Sequence, residues 1–208
     1  MAINRGRSLL ARYLGRNAAT YDQLRVGSPK WKFEQSSLEN LLGAVRKQVR
    51  HILDIPVGTG RFLDAYARLV PEAKVTALDL SDDMLTLART RDQSGVVHFL
   101  KHDIVTTSVP IEVDMVVCFR FLNLINARDM SSALEHILRA SMQFCILSVR
   151  VVDQEFEGSL FIEEKIWLHR GSDFEKLLTM QGFTVEDMKL FEDKRPGTYK
   201  VLLLKRRD

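Results

Sequence analysis

Two carboxylates and two glycines carry the most chemistry in this chain. Asp54 lies in an apolar run, His51 to Ile55, and Gly58 and Gly60 follow it closely. Glycine adopts left-handed backbone and has no Cβ, so a turn on Gly58 and Gly60 lets main-chain amides approach a ligand. Asp79 sits in the next apolar run, nineteen positions after Gly60. An acid about 20 residues past a glycine turn is placed to accept hydrogen bonds from ribose hydroxyls. The pattern predicts a nucleoside site. A nicotinamide fingerprint, G-x-G-x-x-G, is not met, because the third glycine would fall at position 63, which is Leu63.

These residues need strands that end together and helices that follow them. Periodicity predicts a helix over 36–49, with Leu38, Leu41, Leu42, Val45 and Val49 on one stripe. It is preceded by a helix over 7–16 and an irregular stretch through Lys32. The pattern continues with a strand at 51–55, a helix over 60–70 stopped by Pro71, and a strand at 74–80. Ser81 is a candidate N-cap, with Asp82 and Asp83 in the favourable first turn of a helix to about Thr90. Strands follow at 96–101 and 113–119, then a helix face on Met130, Ala133, Leu134, Ile137 and Leu138, and a strand at 144–151. The stretch 152–171 shows no readable period. A helix capped by Ser172 or Asp173 and ended by Gly182 precedes two β runs, 184–191 and 199–204. Alternating strands and helices predict an α/β fold with a parallel sheet covered on both faces. The last two strands lack a helix between them and must be antiparallel neighbours.

The turn Asp54-x-Pro56-x-Gly58-Thr59-Gly60-Arg61 resembles motif I of the class I S-adenosylmethionine-dependent methyltransferases, in a D-x-P-x-G-T-G-R form. The resemblance covers residues 50–150 well. It implies a doubly wound, mainly parallel seven-stranded sheet of order 3-2-1-4-5-7-6 with a C-terminal antiparallel hairpin. It also implies S-adenosylmethionine as cofactor and roles for particular residues. Pro56, Gly58, Thr59 and Gly60 would lie against the methionine part and ribose, with Asp54 reaching the amino group. Asp79 would take the ribose hydroxyls and Leu80 the adenine face. Asp103 and Ile104 would meet the adenine edge, Cys118 the methionine end, and Tyr21 would join from a cap segment.

Methyl transfer from a sulfonium demands alignment more than acid–base chemistry, so no fixed catalytic residue is required. His102, beside the adenine acid, and His169, in the unassigned stretch, are the candidate bases. Arg120 and Arg150 end strands at the ligand edge and suit an anionic acceptor; the alternative is that they bridge surface acids. Trp31, in the cap, is a further acceptor contact. No histidine or cysteine spacing predicts a metal.

Composition sets the frame. The 208 residues, 46% apolar and 27% charged, predict one globular domain with a membrane span excluded. Within 1–208 the expected parts are an arm or cap over 1–33, a cofactor core over 50–150 and a pocket-shaping insertion over 152–171. Cys118 and Cys145 read as reduced core thiols, which predicts a cytoplasmic protein. Arg5, Arg7, Arg12 and Arg16, without an acid among them, form a solvated helix, an organelle transit peptide, or an arm for nucleic acid or an anionic surface. The predicted activity is methyl transfer to a small-molecule acceptor. RNA or protein methylation and a non-catalytic cofactor-binding assembly factor are the alternatives. Oligomeric state is not readable.

Overall fold

A computed structural model describes residues 20–23, 25–153, 159–162 and 166–207 of the chain. The expected helix over 7–16 and the N-terminal arginines lie outside the described residues. Helix α1 spans Pro29–Val45, so it begins well before the predicted start. Ser28 Oγ accepts a hydrogen bond from Trp31 N at 3.3 Å, and Pro29 takes the first helical position, where its missing N–H is not needed. The stretch expected to stay irregular through Lys32 is therefore helical from Pro29. One 3₁₀ turn, Arg46–Gln48, leads into the sheet.

The strands are β1 (His51–Asp54), β2 (Lys74–Asp79), β3 (His98–Lys101), β4 (Val113–Cys118), β5 (Ser141–Val152), β6 (Ser159–Ile162), β7 (Ile166–Arg170), β8 (Phe183–Phe191) and β9 (Thr198–Arg206). β1 pairs in parallel with β2 and β4, β2 with β3, and β4 with β5. β9 runs antiparallel against β5, and β8 against β9. The resulting order, β3-β2-β1-β4-β5-β9-β8, is the one the resemblance implies, with β8 and β9 in the places of its sixth and seventh strands. Among the described residues nine strands occur rather than seven, because the unreadable stretch holds a hairpin, β6 and β7. β5 outruns β4, and its last residues, Val151 and Val152, pair with His169 and Arg170 of β7.

Helices α2 (Leu63–Leu69), α3 (Asp82–Arg91), α4 (Ala127–Ala140) and α5 (Gly171–Met180) complete the layers. On one face, Met130, Leu134, Ile137 and Leu138 of α4 and Phe174 and Leu178 of α5 form a buried cluster with the sheet. On the other, Leu38, Leu41 and Leu42 of α1 pack with Tyr66 of α2 and Leu85 and Ala88 of α3. Each fully buried leucine stabilises the fold by roughly 1.5–3 kcal/mol. Ser81 caps α3 as expected, accepting from Met84 N. Neither Ser172 nor Asp173 caps α5: its N-cap is Arg170, and Asp173 in the first turn accepts from Arg170 Nε and Nη2. β1 lies between β2 and β4, so the order in which strands are added reverses at β1, and open α/β sheets bind ligands at the carboxyl end of such a strand.

Candidate functional site

At that end the chain turns sharply and is tied to both neighbouring strands. Ile55 N donates to Val117 O at 2.9 Å, and Val57 N to Leu78 O at 2.8 Å. Asp79 closes the turn from the side: its Oδ2 accepts from Gly58 N and its Oδ1 from Ser81 N, each at 2.9 Å. Burial raises the Asp79 carboxyl above the usual aspartate value, against the lowering effect of these backbone N–H groups. The two glycines have different reasons. Gly58 (φ 57) has nothing within 4 Å of where a Cβ would stand, so its open side faces free space. At Gly60 (φ 74) a Cβ would meet Ala88 Cα of α3 at 2.9 Å, so this glycine lets turn and helix pack.

The turn borders a cavity of about 480 Å³, within the roughly 300–1,000 Å³ range of small-molecule pockets. Of the predicted cofactor residues, Tyr21, Pro56, Gly58, Thr59, Asp79, Leu80, Asp103 and Ile104 line it together. Asp103 Oδ1 also accepts from Val105 N, which holds its loop in place. Asp54, Gly60 and Cys118 do not line the cavity. Asp54 is buried behind the turn and accepts from Tyr66 Oη at 3.0 Å. Burial pushes its carboxyl up to about 7, although Tyr66 and Arg61 pull the other way. Cys118 is wholly buried in the core.

The candidates for acceptor contact and catalysis divide sharply. Arg120 and His102 line the cavity; Arg150, Trp31 and His169 do not. Arg150 ends β5 as predicted, but its guanidinium is only 1% exposed. It binds Asp193 Oδ2 at 2.7 Å and the carbonyls of Arg195, Pro196 and Gly197 in the β8–β9 loop. The arginine is consumed in holding that loop, which corrects its assignment to the mouth. His169 is buried, with Nε2 against Leu122 O at 2.8 Å, and burial holds its imidazole below the usual range. It stands outside the residues that line the cavity. The His102 Nε2 is engaged by Thr107 O at 2.9 Å. Trp31 instead lies beside the guanidinium of Arg61, at 4.6 Å from its ring centre.

The predicted set did not include Glu34 of α1, which is wholly buried. It accepts from Arg61 Nη2 at 2.8 Å, from Arg120 Nε at 2.6 Å and from Tyr199 Oη of β9 at 2.5 Å. Burial would raise its carboxyl, but Arg61, Arg120 and Tyr199 together outweigh that and hold it below the ordinary glutamate value. Lys30, one turn earlier, sits over the Tyr199 ring at 3.4 Å, and burial pulls its ammonium down to about 7 against the attraction of Glu34. A legible signal existed: Glu34 continues the buried stripe of α1 four residues ahead of Leu38. The late predicted start of the helix hid it. The cap is fastened over the turn by Asp22, which accepts from Thr59 Oγ1 at 3.0 Å and pairs with Arg91.

Residues 52–142 match the family described as methyltransferase domain. The sheet order around this segment is similar to the fold of solved S-adenosylmethionine-dependent methyltransferases, among them one from Clostridium acetobutylicum with a TM-score of 0.67 at 16% identity, over 91% of this chain and 97% of that one. A malonyl-[acyl-carrier protein] O-methyltransferase of Bacillus anthracis is 27% identical over 120 residues, which cover 56% of this chain and 44% of that protein. A demethylmenaquinone methyltransferase of Chlamydia felis is also 27% identical over 120 residues, covering 57% and 52%. The chain thus spans about half the length of these relatives. In three dimensions it is similar to the magnesium protoporphyrin IX methyltransferase of Synechocystis PCC 6803 with bound S-adenosylhomocysteine. The TM-score is 0.75 at 14% identity, over 98% of this chain and 100% of that one.

Among the described residues no cluster of histidine, cysteine, aspartate or glutamate could hold a metal ion, and no helix is long and apolar enough to cross a membrane.

Proposed function

We propose that the protein transfers a methyl group from S-adenosylmethionine to a small-molecule acceptor. The observation that carries this reading is the cavity between the tips of β2 and β4, with Gly58 presenting an open face and Asp79 in the wall. A Cβ at Gly58 would enter the space a nucleoside needs, and Asp79 keeps lone pairs beyond its two backbone bonds for the ribose hydroxyls. Leu80, Ile104 and Met84 offer apolar surface for the base, and Asp103 a carboxylate at its edge. The cofactor supplies an already activated methyl carbon on a sulfonium. The protein's part is to align an acceptor and exclude water, which lowers such barriers by up to roughly 7–11 kcal/mol. Phe62, Phe119, Phe121 and Leu124 give the cavity its dry walls. Tyr21, tethered through the neighbouring Asp22, closes it from the cap side.

The test is calorimetric titration with S-adenosylhomocysteine, followed by incubation with methyl-tritiated cofactor and a fractionated cell extract. Micromolar binding and label in the low-molecular-mass fraction are expected. Label recovered only in RNA or protein would transfer the activity to those acceptors. Absence of nucleoside binding below about millimolar would end the reading.

A further inference from the structure

Lys30 stands where an ammonium is poorly served. It is the second residue of α1, whose first turn holds no acid to offset the positive helix end. Its Nζ lies 3.4 Å from the centre of the Tyr199 ring, and it makes no hydrogen bond or ion pair with the described residues. The guanidinium of Arg150 lies 5.7 Å from the same ring. Arg120, after β4, and Arg195, in the β8–β9 loop, also bear on the amine, and Glu34, one turn along α1, is the carboxylate that opposes them. Both nearby carboxylates are already claimed: Glu34 by Arg61, Arg120 and Tyr199 Oη, and Asp193 by Arg150. Five cations therefore meet two carboxylates at this corner, and the Arg195 guanidinium makes no hydrogen bond to a described residue.

The ring face attracts an ammonium, but it is one favourable contact against burial and three like charges. Burial first, then Arg120, Arg150 and Arg195, outweigh Glu34 and pull the amine down to about 7. At about pH 7.5 more than half of Lys30 is a free amine, against about one in a thousand of an ordinary lysine. A desolvated lysine beside other cations is an activated nucleophile. The side chain is half-buried, not sealed, so a small neutral electrophile can reach it.

We propose that Lys30 is a carbamylation site, at which carbon dioxide adds reversibly to the side-chain nitrogen among Arg120, Arg150 and Arg195. The nitrogen lone pair forms the N–C bond, one C–O π pair moves onto oxygen, and a nitrogen-bound proton leaves to water. Nothing is oxidised or reduced. The product carries a carboxylate where an ammonium would stand, so the excess of positive charge falls and the unclaimed Arg195 guanidinium gains an acceptor. The same anion suits the start of α1. Lys30 does not line the cavity, so the modification stands independently of methyl transfer.

Full-length protein is equilibrated with carbon-13 bicarbonate under a fixed pressure of carbon dioxide and ethylated with a trialkyloxonium salt, which converts carbamates to stable urethanes. Digestion and mass spectrometry then locate and count the label. Lys30 should be labelled at least about tenfold more than the exposed Lys194, and its occupancy should climb around pH 7. Arg195→Ala, a change on an exposed loop, should lower that occupancy severalfold with the melting temperature unchanged, and Lys30→Arg should abolish it. Labelling of Lys30 no greater than that of Lys194 at saturating carbon dioxide, or occupancy unmoved by Arg195→Ala, overturns the proposal. Mapping on the wild type decides the site even if a variant fails to fold.

Discussion

Replacing Glu34 by alanine removes the one carboxylate that Arg61, Arg120 and Tyr199 share. The two guanidinium groups, 8% and 18% exposed, would be left facing each other with no counter-charge. Breaking a buried ion pair by deleting one partner costs about 3–5 kcal/mol, a large part of the roughly 5–15 kcal/mol that holds a domain folded. A domain of this size loses about 2–4 °C of melting temperature per kcal/mol, so Glu34→Ala should melt about 6–20 °C below wild type. Glu34→Gln keeps the shape and one acceptor oxygen and should fall between the two. The pH dependence follows from the same geometry. The folded carboxyl is held below its unfolded value, so its stabilisation is complete above the ordinary glutamate range and is lost as pH falls through the folded value. The gap between wild type and Glu34→Gln should therefore narrow below about pH 4. Thermal melts followed by circular dichroism at several pH values measure both effects. A Glu34→Ala protein within about 1 kcal/mol of wild type would refute the claim that this carboxylate holds the corner.

Three further outcomes are expected. Asp79→Ala should weaken S-adenosylhomocysteine binding by about 1.5–3 kcal/mol, the worth of hydrogen bonds to a charged group, and unchanged affinity in calorimetry would mean the ribose lies elsewhere. Gly58→Ala should cost only the roughly 1–2 kcal/mol of a Cβ on left-handed backbone yet abolish most cofactor affinity, whereas Gly60→Ala should destabilise the fold further through its collision with Ala88; the two measurements on both variants would expose an exchange of these roles. Asp54 is protonated more readily folded than unfolded, so wild-type stability should fall as pH rises from about 4 to about 7, the interval between its unfolded and folded values. Asp54→Asn should flatten that slope in denaturant titrations, and an unchanged slope would assign it to another group.

The strands were legible because their chemistry is continuous along the chain. Central parallel strands are buried on both faces and read as apolar runs, and the acid at the end of β2 stood out against its own run. The fate of Arg150 was not legible. Its position at a strand end is correct, but no local pattern announces that the β8–β9 loop folds back to offer it Asp193 and three carbonyls. The surroundings of His169 were hidden for a similar reason: it lies on β7, a strand whose pattern carries no period, and its partner Leu122 is distant in sequence. Gly60 shows a subtler limit. A glycine turn is visible in any sequence, yet only the packed neighbour reveals that one glycine faces open space and the other packs against a helix.

Tyr199 reaches Glu34 across 165 positions of sequence. A chain made from its amino end first can build β1, the glycine turn and α3 early, since these are neighbours in order. The corner where α1, the residue after β4 and β9 converge cannot be completed until β9 has emerged and zipped against β5. A nascent polypeptide would thus possess the Asp79 side of its pocket well before the cationic side, and on the proposed function cofactor capture during synthesis should lag the appearance of secondary structure.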